Sequence, residues 1–121
     1  DRAACDYERV LPAQPDLALL GLGEDGHTAS LFPGSPAFEE EARRVVAVEG
    51  PKPPRLRITV TPLVLRAARH LMVLALGADK ADALARSLAE TGDQRQTPAR
   101  LAREGVWLAD RAAAGCVRRS P

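Results

Sequence analysis

The sequence has few cysteines and few histidines, and this scarcity excludes several classes of protein. Only two of each occur in 121 residues. Cys5 and Cys116 lie at opposite ends of the chain, without a Cys-x-x-Cys pair and without a histidine at metal-ligand spacing. Neither a disulfide framework nor a metal site is therefore predicted. Two separate, reduced thiols favour a cytoplasmic compartment.

Long apolar runs and an excess of one charge are also missing. The longest apolar runs, around residues 17–22 and 71–76, are far shorter than the roughly 18 to 20 residues of a membrane-spanning helix. The 17 Lys and Arg against 16 Asp and Glu leave a net charge of +1, and the two signs are interleaved. We therefore expect neither a nucleic acid nor a membrane surface as a partner.

What the sequence does contain is a regular alternation of short strands and helices. Five stretches have the composition of strands, at residues 17–22, 44–50, 56–61, 70–76 and 105–110. Two of them, 17–22 and 70–76, are continuously apolar, which is typical of strands buried on both faces of a parallel sheet. Helices are predicted after the Thr61–Pro62 pair and over residues 78–90. This pattern predicts a three-layer α/β/α sandwich with a mainly parallel, Rossmann-like sheet.

The segment after the first strand, GLGEDGHTASLFPG at residues 21–34, combines glycines with a histidine. Gly21, Gly23 and Gly26 have the G-x-G-x-x-G spacing of a dinucleotide-binding loop, but prolines soon afterwards interrupt the helix which that loop requires. The glycines can instead serve a tight turn beside a packed histidine. Alternatively, Asp25 fixes the tautomer of His27, and the imidazole acts as a base. The residues alone favour neither of these last two interpretations.

DLALLGLGEDGHTASLFPGSP closely resembles the signature segment of the 6-phosphogluconolactonase family, in which a strand leads into a Gly-x-Gly-x-Asp-Gly-His-x-Ala-Ser-Leu-Phe-Pro loop. The resemblance continues through PPRLRITVTPLVLRAARHLMVLALGADKADAL and GVWLADRAAA, from about Tyr7 to Ala114. It implies hydrolysis of 6-phosphogluconolactone, a sugar-phosphate lactone, without a cofactor or a metal. It also implies that His27 activates water and that Asp25 orients or assists His27.

The same resemblance implies a set of substrate-binding residues. Gly23 and Gly26 would let the substrate approach the backbone, and Arg57 and Lys80 would bind its phosphate. A helix that begins near Lys80 would add a favourable dipole for an anion. Arg55 remains an alternative to Arg57, because residues two apart on a strand share a face. Ordinary surface roles also stay open for Arg57 and Lys80.

Two other functions stay open. A deaminase-type isomerase of glucosamine 6-phosphate shares the Asp-Gly-His element, but that family typically continues toward an Asn-Glu pair. Here TASLFP follows, and no acidic residue occurs before Glu39, which favours the lactonase. A non-catalytic sugar-phosphate-binding fragment is the second alternative.

The chain is also predicted to be part of a longer enzyme. Members of the family are much longer and carry near their start a Ser/Gly-rich loop that helps to hold the sugar phosphate, and no such loop occurs here. The sequence also starts without methionine. We therefore expect residues 1–121 to be a single-domain fragment, the carboxyl-terminal half, with the missing amino-terminal half as its partner.

Overall fold

A computed structural model describes residues 1–117, which contain three α-helices and five strands. In chain order the elements are α1 (Arg2–Val10), β1 (Leu17–Gly21), β2 (Val45–Glu49), β3 (Leu56–Val60), α2 (Pro62–Ala67), β4 (His70–Ala75), α3 (Ala81–Leu88) and β5 (Val106–Ala109). Short 3₁₀ helices connect several of them. Among the described residues, none of the helices has both the length and the apolar character that a membrane span requires.

The main sheet has three parallel strands in the order β1-β4-β5. Its carboxyl ends meet at one edge, where ligands bind in open parallel sheets. The loop at 21–34 follows β1 at this edge, and the turn carrying Lys80 follows β4. The predicted mainly parallel sheet is therefore confirmed.

Strands β2 and β3 do not extend the parallel sheet; they form a separate antiparallel hairpin. The six residues that join them, 50–55, are too few for the crossover that parallel pairing requires. The N–H of Gly50 donates to the carbonyl of Arg55 at 2.7 Å and closes the hairpin. Arg57 therefore lies on a hairpin strand beside the main sheet, and not at the carboxyl end of a parallel strand.

The hydrophobic core lies on one face of the main sheet. Leu20, Val73 and Ala75 point into it and meet buried residues such as Leu65 and Leu84. The opposite face is apolar but accessible, with large side chains exposed at Leu17, Leu19, Leu74, Val106 and Leu108. Burial of β1 and β4 on both faces, which their composition predicts, is thus not found within residues 1–117.

Two predicted helix starts differ in detail from the structure. Thr61 does precede α2, but its hydroxyl donates to the carbonyl of Arg43 at 2.8 Å instead of capping the helix. The helix predicted over 78–90 begins as a 3₁₀ turn at Ala78–Lys80 and becomes α-helical only at Ala81.

The buried guanidinium of Arg100 donates to two carbonyls at the other end of α3, at 2.8 and 2.9 Å. These bonds satisfy acceptors that a helix end leaves open.

Candidate active site

The loop after β1 is a compact turn held by its own backbone. The N–H of Gly23 donates to the carbonyl of His27, and the N–H of Gly26 donates to the carbonyl of Gly23, both at 2.9 Å. The hydroxyl of the buried Thr28 donates to the carbonyl of Gly21 at 2.8 Å. No α-helix follows before Pro62, so the loop lacks the helix of a dinucleotide site.

His27 and Asp25 form a direct pair within this turn. Nδ1 of His27 lies 2.5 Å from Oδ1 of Asp25, and the backbone N–H of His27 donates to the same oxygen at 3.0 Å. Partial burial alone would raise the pKa of the Asp25 carboxyl. The hydrogen bonds from the backbone and ring of His27 outweigh burial, and this pKa lies below its ordinary value. Near neutral pH, Asp25 is thus an ionised acceptor beside an imidazole that is 28% exposed.

The pair fixes which imidazole nitrogen can act as a base. An ionised carboxylate only accepts hydrogen bonds, so it favours the tautomer with the proton on Nδ1 of His27. Nε2 then keeps its lone pair. A histidine with this tautomer, on a partly exposed loop, can take a proton from water.

Gly23 and Gly26 are both required by geometry, for different reasons. A Cβ on Gly23 would overlap with Nδ1 and Cε1 of the His27 ring and would lie 2.8 Å from Oδ1 of Asp25. Gly26 has a φ of +89°, in the region that favours glycine, and a Cβ there would lie 3.0 Å from Cγ2 of Thr97. The glycine spacing therefore serves the pairing of histidine with aspartate.

Phe32 joins the histidine to Arg57. The Phe32 ring centroid lies 4.7 Å from that of His27, with the two planes inclined by 49°. Cζ of Arg57 lies 5.2 Å from the same phenyl centroid, a cation–π distance. This role of Phe32 was not predicted from the sequence, although its position within the loop motif was a signal for it.

The two candidate arginines have different environments. Arg57 is half-buried and donates through Nε to the carbonyl of Pro54 at 2.9 Å and through Nη2 to that of Lys52 at 3.1 Å. Arg55 is exposed and lines a groove of about 680 Å³ together with Asp25 and Phe32. The structure therefore brings both arginines to the neighbourhood of the loop at 21–34.

Lys80 lies at the other carboxyl-end turn, after β4, and does not line that groove. It closes a 3₁₀ turn that begins at Gly77, which has a φ of +97°. Both carboxylate oxygens of Asp110 accept the N–H of Gly77, at 3.1 and 3.2 Å, and Oδ1 also accepts the N–H of Ala113 at 2.8 Å. These bonds from Ala113 and Gly77 lower the pKa of Asp110. Asp110 was not identified from the sequence, where only its place at the end of a strand marked it.

Within residues 1–117, no group of three or more His, Cys, Asp or Glu side chains could hold a metal ion.

A parallel sheet with a paired histidine and aspartate on a glycine loop at its carboxyl edge defines an α/β protein with a candidate acid–base site. The family model that describes glucosamine-6-phosphate isomerases and 6-phosphogluconolactonases matches residues 1–109. The chain belongs to this family.

Individual relatives agree with this assignment. The 6-phosphogluconolactonase of Streptomyces coelicolor is 48% identical over 109 residues, which cover 87% of this chain and 41% of that protein. The human 6-phosphogluconolactonase is 42% identical over 104 residues, or 82% of this chain and 40% of that protein. The crystal structure of the Leishmania guyanensis 6-phosphogluconolactonase superposes with a TM-score of 0.81 at 33% identity, covering 98% of this chain and 53% of that one. The chain thus spans about half the length of these relatives.

Proposed function

We propose that the chain is the carboxyl-terminal half of a 6-phosphogluconolactonase, which hydrolyses 6-phosphogluconolactone to 6-phosphogluconate. The observation that carries this proposal is the contact of 2.5 Å between His27 and Asp25 on a loop whose glycines make room for it. The names of the relatives support the choice of substrate, and the geometry of His27 and Asp25 supports a base suited to ester hydrolysis.

In the proposed reaction, Nε2 of His27 takes a proton from a water molecule as its oxygen attacks the lactone carbonyl. Asp25 stabilises the imidazolium that forms. The bond between the carbonyl carbon and the ring oxygen then breaks, and the proton on His27 passes to that oxygen as it becomes a hydroxyl group. Water and lactone are thereby converted to a carboxylic acid and an alcohol, and the histidine returns to its neutral form.

We further propose that Arg57 and Lys80 bind the phosphate. A phosphate monoester carries close to two negative charges, and arginine and lysine form its strongest hydrogen bonds. Two carbonyls and the Phe32 ring hold the guanidinium of Arg57 in place, which lowers the entropy cost of binding. Arg55 is the alternative, since it is the arginine that lines the groove beside Asp25.

The deaminase alternative is less well supported. It needs an acidic residue after the histidine to complete a relay with the imidazole, and the first one in the sequence is Glu39. The carboxylate of Glu39 is paired with the guanidinium of Arg95, and this ion pair lowers the pKa of Glu39. The similarity to a glucosamine-6-phosphate deaminase, at 24% identity and a TM-score of 0.76, concerns the fold alone.

We propose that the missing amino-terminal half covers the apolar sheet face at Leu19, Leu74 and Leu108. These side chains are 65%, 45% and 48% exposed, and the remaining length of the relatives provides the polypeptide to cover them. Open apolar faces and strand edges favour association. We therefore expect the 121 residues alone to lack full activity.

Free thiols at Cys5 and Cys116 support a cytoplasmic site of action.

The test uses a chimera in which the matching carboxyl-terminal part of the Streptomyces coelicolor relative is replaced by this chain. We expect the chimera to release acid from freshly generated 6-phosphogluconolactone well above the spontaneous rate. His27→Ala should lower this rate by about 100-fold to 10,000-fold. His70→Ala is the matched control, because His70 is exposed at the opposite, amino end of β4.

Folding of each variant is checked by circular dichroism and thermal melting. An inactive chimera that folds would contradict the lactonase proposal, and the same chimera would then be assayed with glucosamine 6-phosphate. Full turnover by the folded His27→Ala variant would remove His27 from the mechanism.

A further inference from the structure

Arg86, in the last turn of α3, reaches across to the histidine loop. Nη2 donates to the carbonyl of Glu24 at 3.3 Å and Nη1 donates to the hydroxyl of Thr97 at 3.3 Å. Nε pairs with Asp82 of the same helix at 3.0 Å. The guanidinium thus connects three segments, of which one carries the proposed base.

The peptide group that Arg86 holds is the one immediately before Asp25. On the other side of Asp25, the carbonyl of Gly26 accepts the N–H of Ala99 at 2.9 Å. Because a peptide unit is planar and trans, fixing its carbonyl also fixes the direction of its N–H and of the next Cα. Two donors from outside the loop therefore orient the backbone on both sides of Asp25.

Gly26 makes this approach possible. A Cβ at this position would lie 3.4 Å from Nη1 of Arg86, so the guanidinium already packs closely against the backbone of the loop. The ion pair with Asp82 is exposed on the Asp82 side and joins residues four apart on one helix, an arrangement that contributes little to stability. The main structural role of Arg86 is therefore its contact with the loop at Glu24 and Gly26.

We propose that Arg86 is a positioning residue for the base: it holds the Glu24 carbonyl so that Asp25 stays aligned on His27. This inference rests on the proposed lactonase function, but it concerns a residue that does not touch the histidine. Arg86 acts through the backbone of Asp25, and the carboxylate of Asp25 in turn acts on the ring.

The kinetic test compares Arg86→Met, Arg86→Lys and Asp82→Asn in the active chimera. Arg86→Met keeps the apolar stem and removes the donors, and it should lower kcat about tenfold or more while KM changes less than about twofold. Arg86→Lys should recover part of this loss, because an ammonium can still donate to the Glu24 carbonyl. Asp82→Asn, the matched control, should behave like the unsubstituted chimera.

Two kinetic outcomes would overturn the proposal. A higher KM with unchanged kcat in Arg86→Met would make Arg86 a substrate contact. Unchanged kcat and KM in a folded Arg86→Met variant would leave it without a role in the reaction.

A second measurement does not need turnover. In the folded chimera labelled with ¹³C-histidine, the His27→Gln and His70→Gln variants assign the ring signals of the two histidines that this chain contributes. Arg86→Met should shift or broaden the His27 signals and leave those of His70 in place, whereas Asp82→Asn should move neither. An unmoved His27 signal would refute the positioning role. An inactive chimera with a moved signal would count against the lactonase and not against Arg86.

Discussion

Replacing Gly23 with alanine should remove most of the turnover of the chimera without unfolding it. Gly23 does not have a positive φ, so the backbone itself accepts alanine. The obstacle is the His27 ring, whose Nδ1 and Cε1 occupy the place where the new methyl group would lie, and the same methyl group would lie 2.8 Å from the Asp25 carboxylate. The ring is partly exposed, so it can swing outward. Its contact with Asp25 would then be lost.

The size of the effect follows from this displacement. Moving a reacting group by about 1 Å costs on the order of 100-fold in rate, and complete loss of a general base costs about 100-fold to 10,000-fold. We therefore expect kcat of the Gly23→Ala variant to fall by about 100-fold or more. The free energy of unfolding should change by only about 1 kcal/mol or less, because the ring can relax toward solvent.

The assay is lactone hydrolysis by the chimera, with Gly115→Ala as the matched control. Gly115 lies in the short 3₁₀ helix at Ala113–Cys116, outside the loop at 21–34, and a Cβ on it would meet no atom within 4 Å, so its variant should keep both rate and stability. Adding Gly23→Ala to His27→Ala should lower the rate no further, since both changes act on the same group. A Gly23→Ala variant with kcat within threefold of the unsubstituted chimera would refute the reasoning.

Two further predictions concern the phosphate and the turn of Lys80. In steady-state kinetics, Arg57→Ala should raise KM for the lactone by about 10-fold to 100-fold, because a charge-assisted hydrogen bond is lost. Arg55→Ala should leave KM nearly unchanged. A larger rise of KM in Arg55→Ala than in Arg57→Ala would assign the phosphate contact to Arg55. Bonds from Ala113 and Gly77 lower the pKa of Asp110, so its ionised form stabilises the fold above pH 4 or so, and this contribution disappears as pH falls through the lowered pKa. Thermal melting should therefore find Asp110→Asn less stable than the unsubstituted chain at pH 7, with a gap that narrows below about pH 4. A gap independent of pH would show that the carboxylate charge does not matter.

The sequence predicted best those features whose causes are local. Leu17–Gly21 and His70–Ala75 are strands because β-forming and apolar residues follow one another directly. His27 and Asp25 were found as a pair because only two positions separate them, and the glycines that accommodate the pair lie in the same turn. A local pattern also predicted strands β2 and β3. That pattern does not show that the short connection between them leads to antiparallel pairing in a sheet separate from the main one.

Apart from the contact of Phe32 with His27, the features that were missed depend on residues far apart in the chain. Arg86 lies 62 positions from Glu24, and Asp110 lies 33 positions from Gly77. No periodicity relates such pairs, because chain folding alone brings them within hydrogen-bonding distance. The accessible sheet face was likewise not predictable from local sequence. The composition of an apolar strand indicates that both of its faces are suited to burial, but it does not indicate which polypeptide covers each face. The pair of His27 and Asp25 can therefore be predicted from one short segment, whereas the contacts that keep it aligned form only when distant segments fold together. If the positioning role of Arg86 is correct, then His27 and Asp25 transferred with their loop alone would lack the orientation on which catalysis depends.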